Sequence, residues 1–146
     1  MKLILNLFLF FTVLSCSSRN EDYKMLNDFV MENNIQLENL SDKPFYLENA
    51  LSYWSEKEFK KYNFNIPRNE KYNLDVQLIA NKTKKIGSNK ETRISMPLIS
   101  TDGDKALVAV QEKWGSQETL TIYLLSRKDS KWNVETNIKS VSTLSH

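Results

Sequence analysis

Three regimes of apolar and polar residues succeed one another along the chain. Leu3 to Leu14 is an apolar run broken only by Asn6 and Thr12, and it stops at a Ser-Cys-Ser-Ser cluster. A membrane-spanning helix needs about 20 apolar residues. This run is shorter and follows a positive residue, Lys2, so it reads as a targeting segment that is removed from the mature protein. Ser17 to Asn20 form a polar tether. Beyond it Tyr23, Leu26 and Val30, flanked by Met25 and Phe29, recur at three- and four-residue spacing, which predicts a helix from Asp22 to Asn34. Glu21 and Asp22 suit its positive end. Ser41, Asp42 and Pro44 mark a turn-like stretch. Ser55 followed by Glu58 has capping-box spacing, which predicts a short helix from Glu56 to Tyr62 that ends before Pro67.

The second half alternates with a period of two. Tyr72, Leu74, Val76 and Leu78 interleave with Asn73, Asp75 and Gln77, the clearest periodic signal in the chain, and predict a half-buried strand. Ile94, Met96 and Leu98 predict a second strand, which Pro97 confines to a sheet edge or a bulge. After Asp102-Gly103, Ala106 to Trp114 predict a third with apolar residues on both faces, and Gly115-Ser116 turns into a fourth around Leu120, Ile122 and Leu124. Trp132, Val134 and Ile138 carry a fifth. Short links imply an antiparallel meander. The expected fold class is therefore α+β, with N-terminal helices packed on a five-stranded antiparallel β-meander. Leu74, Val76, Leu78, Val108, Ile122, Leu124 and Trp132 are expected to share one core.

Val13, Leu14, Ser15 and Cys16 resemble the lipobox of bacterial lipoproteins, with an aliphatic residue three before the cysteine and a small one directly before it. The resemblance implies diacylglycerol on the Cys16 sulfur, cleavage after Ser15 and acylation of the new amino group. Each buried methylene contributes about 0.8 kcal/mol, so three chains hold a protein almost irreversibly. The expected organisation is a signal peptide over 1–15, a lipidated cysteine and tether over 16–21, and one domain over 22–146. The stretch Ser95 to Val134, with Pro97, the Ser100 to Asp104 turn, Lys105-Ala106 and Lys131-Trp132, resembles a C-terminal pattern of small envelope lipoproteins. Asp129, Lys131, Trp132 and Val134 also look like the final hairpin of NTF2-like domains, which implies a helix-filled cone as the alternative arrangement.

Charge and composition narrow the partners. The 20 basic and 18 acidic side chains give a formal +2, and Lys2 leaves with the signal. Such near-neutrality supplies no reason to invoke nucleic acid. Cys16 is the only cysteine and His146, the last residue, the only histidine. A Ser-His-Asp triad, a Cys-His dyad and a typical zinc site all lack parts. Gly87, Gly103 and Gly115 lie singly, whereas phosphate-cradling loops need glycines close together. Asp102 and Asp104 around Gly103 fit turn chemistry better than a calcium loop, and Lys82, Lys84, Lys85 and Lys90 fit a solvated basic loop. The paired carboxylates Glu56 and Glu58, or Asp75 and Glu112, have no spacing that supports acid-base use.

No cofactor is expected. The leading reading is a non-catalytic envelope lipoprotein, held to a membrane through Cys16, with the outer membrane favoured and the leaflet open, that binds a protein or small ligand. Trp114, Tyr53, Trp54 and Tyr62 are the candidate contact residues, because aromatic rings offer large contact area with polar tips. The alternatives are an immunity protein against a periplasmic toxin and a carboxylate-based envelope hydrolase. Wild-type protein is expected to partition into detergent with its mature N-terminus at Cys16 and the added mass of lipid, and Cys16→Ala to accumulate as precursor. Intact-mass measurement decides this; a lipid-free N-terminus elsewhere overturns it.

Overall fold

The run Ala106, Leu107, Val108, Ala109 and Val110 is buried at every position, so the strand that carries it must be covered on both faces. The computed structural model describes residues 19–52 and 60–143. In chain order these contain helix α1 over 19–32, β1 (Leu37–Glu38), a 3-10 helix (Leu47–Ser52), a 3-10 turn (Val76–Leu78), β2 (Lys82–Thr83), β3 (Lys90–Ile94), β4 (Leu98–Ile99), β5 (Lys105–Trp114), β6 (Gln117–Lys128) and β7 (Lys131–Thr143). The fold is α+β, with a five-stranded antiparallel sheet in the order β3-β5-β6-β7 and β4 paired to β5 beside β3. Of the helix read over Glu56 to Tyr62, residues 56–59 lie outside the described residues.

One face of the sheet, through Ile94, Ala106, Val108, Val110 and Leu125, packs against Leu26, Phe29 and Val30 of α1. Phe29 meets Tyr123 edge to face at 5.0 Å. The opposite face, through Leu107, Ala109, Leu120, Ile122 and Leu124, is covered by Phe45, Leu47, Ala50 and Phe64. The expected single core is therefore two, one on each side of the sheet. Alternation along a doubly covered strand sends Val108 to α1 and its neighbour Leu107 away from it. Leu124 and Leu125 are both buried, on opposite faces, and the register shift between them leaves Glu135 as the extra residue of a bulge in β7.

The strand read over Tyr72 to Leu78 does not form. Leu74 N–H donates to the Asp42 carbonyl (2.8 Å), and at Val76–Leu78 the chain tightens into a 3-10 turn. Asp75 caps that turn by accepting from Gln77 N–H, and the Lys82 ammonium closes it on the carbonyls of Val76, Gln77 and Ile79. Burial follows the alternation through Val76, then breaks: Leu78 is 47% exposed and Ile79 2%. The fifth strand comes from elsewhere. Lys90 to Ile99 forms one sheet edge split into β3 and β4, with Ile94 opposite Val110 and Leu98 opposite Leu107.

Between these halves Ser95 to Pro97 leaves the ladder, as the proline requires. Ser95 repairs the gap: its N–H donates to the Ala109 carbonyl and its Oγ accepts from Ala109 N–H, both at 2.9 Å. Trp132 is half-buried beside the α1-side core, with the Arg127 guanidinium over its ring at 5.9 Å. Phe29→Ala is expected to cost about 3–5 kcal/mol. Trp132→Ala should cost less, about 1–2 kcal/mol. Urea unfolding of the two variants measures the difference, and equal losses would show that Trp132 belongs to the core.

Candidate functional site

The gap in the sheet edge opens a space. A cavity of about 320 Å³ is bounded by Arg19, Asp22 and Tyr23 of α1, Leu47 of the 3-10 helix, Pro67, Glu70, Tyr72 and Asn73 of one loop, and Met96, Pro97 and Leu98 of the interrupted edge. Its size lies at the lower end of the roughly 300–1,000 Å³ of small-molecule sites.

Tyrosine hydroxyls hold the walls. Tyr46 donates its hydroxyl to the Tyr72 carbonyl (2.9 Å) and accepts from Tyr72 N–H (3.3 Å), satisfying the two groups that a neighbouring strand would otherwise satisfy. The two rings meet edge to face at 5.3 Å. Tyr72 in turn accepts from Met96 N–H at 3.3 Å, fixing the strand gap to the loop, and Tyr23 accepts from Asp75 N–H at 2.7 Å, fixing the loop to α1. Glu48 takes the Asn69 N–H (2.5 Å), where Asn69 turns at φ 57°. Burial pushes the Tyr72 phenol above its ordinary value, so it stays neutral.

The charges around this cavity have no partner among the described residues. Arg19, Asp22 and Glu70 make no ion pair or side-chain hydrogen bond among the described residues. Arg19 and Glu70 are exposed at the rim and Asp22 is half-buried. Burial, with a smaller contribution from Glu21, raises the Asp22 carboxyl above its ordinary 3.8. A wider groove of about 760 Å³, lined by Lys43, Tyr46, Glu48, Arg93, Gln111, Lys113 and Glu118, shares Asn73 with the cavity. There the cations of the sheet are already paired, Arg93 with Glu91 at 2.7 Å and Lys113 with Glu118 at 3.1 Å. Arg93 accordingly holds the Glu91 carboxyl below its usual range.

The residues chosen from sequence fall elsewhere. Trp114 ends β5, half-buried, with its indole N–H donating to Gln117 Oε1 at 2.8 Å across the hairpin. Tyr62 is 37% exposed with the Lys61 ammonium 5.4 Å from its ring centre. Neither lines the cavity or the groove. Cys16, Tyr53 and Trp54 lie outside the described residues. Asp102 does turn chemistry: it accepts from Ser100 Oγ, Asn63 Nδ2 and Asp104 N–H, which hold its carboxyl at about 2. In the basic loop Lys82 caps the 3-10 turn and Lys90 pairs with Glu112 at 2.6 Å. Sequence reasoning missed Arg19, Asp22 and Glu70. Arg19 and Asp22 share a helix face by their spacing of three, but nothing local connects them with Glu70 or Met96.

No protein-family model, curated protein or solved structure matches the chain. The cavity must be read from its own chemistry: apolar and aromatic walls with one guanidinium and two carboxylates.

Because the folded-state value of Asp22 lies above its unfolded 3.8, the fold holds that proton more firmly. The stability it contributes is complete below 3.8 and is lost as pH rises through the folded value. Asp22→Asn, neutral throughout, is expected to melt higher than wild type at about pH 7 and to show no such gain at about pH 3. Thermal melts without added ligand check this. An equal gain at both pH values would mean that charge burial is not the cause.

Proposed function

We propose that this protein is an envelope lipoprotein, anchored through Cys16 with the outer membrane favoured, that works by binding a small polar ligand in the cavity at the start of α1. One observation carries the reading: the cavity has fixed walls and three charged residues with no partner among the described residues. Groups left unpaired at a preformed site are available to a ligand, whereas paired ones must first be separated. Among the described residues no helix is long and apolar enough to cross a membrane, and the short run ending at Cys16 supplies the anchor in this reading. The helical portion ahead of the sheet includes more than α1, on the strength of the Ser55 and Glu58 capping-box spacing, with the NTF2-like cone as the alternative arrangement. Tyr62 and Trp114 remain proposed contacts for a protein partner.

A second reading is favoured by Asp22. A carboxyl whose pKa is raised by burial, sharing a cavity with a second carboxylate, Glu70, is the pairing that acid-base hydrolysis uses. Native mass spectrometry of protein extracted from its own envelope separates the two. The binding reading expects a small molecule that co-purifies with wild type and is lost from Asp22→Asn and Arg19→Gln. Turnover of envelope glycans, esters or peptides that Asp22→Asn abolishes would replace binding with catalysis.

A further inference from the structure

The cavity lies close to the proposed anchor. Arg19 and Asp22 follow Cys16 by three and six residues, and a fully extended chain covers at most about 3.6 Å per residue. The Arg19 backbone therefore stays within about 11 Å of the lipidated cysteine. The headgroup layer on each side of a bilayer is about 5–8 Å deep, so a chain anchored at Cys16 keeps Arg19, at the edge of the cavity, within reach of that layer.

The rim offers both signs of charge over a short span. Arg19 and Asp22 stand three residues apart on one face of α1, and Glu70 adds a second carboxylate from the facing loop. A simple anion would meet Arg19 but also two carboxylates, and a simple cation the reverse. A dipolar group satisfies all three. Guanidinium prefers phosphate, which it holds through two parallel N–H donors, and carboxylates accept from a primary ammonium. Tyr72, Met96 and Pro97 give the apolar floor on which a short methylene link can lie.

We propose that the cavity takes a phosphoethanolamine group, an ammonium and a phosphate two carbons apart, presented by lipids of the membrane that holds the protein. The phosphate lies at Arg19 and the ammonium at Asp22 and Glu70. This rests on the anchoring at Cys16 proposed above. Bound ammonium also offsets the unfavourable burial of the Asp22 carboxylate.

The full-length lipidated protein in detergent is titrated calorimetrically with O-phosphoethanolamine, O-phosphocholine and inorganic phosphate. Saturable binding of O-phosphoethanolamine is expected, weakened about tenfold or more by Arg19→Gln and by Asp22→Asn, and unchanged by Lys84→Gln on the basic loop. Phosphocholine, whose quaternary ammonium cannot donate, is expected to bind at least about tenfold more weakly. In phosphatidylcholine vesicles the melting temperature should rise when phosphatidylethanolamine is included, and Arg19→Gln should remove the rise. No saturable binding, or equal binding of phosphate alone, overturns the chemistry. Binding of the free compound with no response to phosphatidylethanolamine overturns the lipid source. If intact mass shows no lipid on Cys16, the anchoring reading fails by itself, while the titration with the free compound still decides what the cavity holds.

Discussion

Five consecutive residues of β5, Ala106 to Val110, are buried, and the remaining elements are placed by the need to cover them from both sides. A strand exposes alternate side chains on opposite faces, so an uninterrupted apolar run cannot be satisfied by one covering layer. Helix α1 supplies one cover, through Leu26, Phe29 and Val30, and the segment around Phe45, Leu47 and Phe64 supplies the other. β6 repeats the demand at Leu124 and Leu125. β7 is the outermost strand of the sheet, and its Ile138 and Val141 are exposed.

The cavity arises where that covering meets a backbone problem. Pro97 has no N–H to give to β5, so the edge strand opens between Ile94 and Leu98. Buried polar groups at the break still need partners, and side chains provide them: Ser95 Oγ for Ala109, the Tyr72 hydroxyl for Met96. Tyr46 does the same for both backbone groups of Tyr72. The Tyr72 hydroxyl ties its loop to the sheet edge at Met96, and both residues line the cavity. Its walls are thus set by hydrogen bonds that do not depend on an occupant.

Charge distinguishes the two depressions that share Asn73. In the wider groove Lys113 pairs with Glu118, whose side chain is only 8% exposed, so separating them would leave a carboxylate nearly buried without its cation. That cost makes the pair a structural element. Around the cavity Arg19, Asp22 and Glu70 carry no such obligation among the described residues, and the raised pKa of Asp22 records what its burial costs.

The residues themselves determined the elements whose burial is decided locally. The helix spacing of Tyr23, Leu26, Phe29 and Val30 forms α1, the run Ala106 to Trp114 forms a strand apolar on both faces, and Pro97 marks an edge, because each depends only on periodicity or on a missing N–H. The targeting run and Cys16 are likewise local in sequence, and the anchoring they imply remains a proposal. Tertiary structure decided Tyr72 to Leu78. Its alternation was genuine, yet a strand also needs a backbone partner, and the Tyr46 hydroxyl, the Asp42 carbonyl and the Asp75 cap took those groups instead. It decided as well that six of the seven expected core residues divide between two faces and that Leu78 joins neither. The cavity was the least legible feature. Arg19 and Asp22 read as tether and helix start, Glu70 as loop, and only the folded chain brings them around Met96 and Pro97, because their proximity follows from which strand edge breaks and what fills the break.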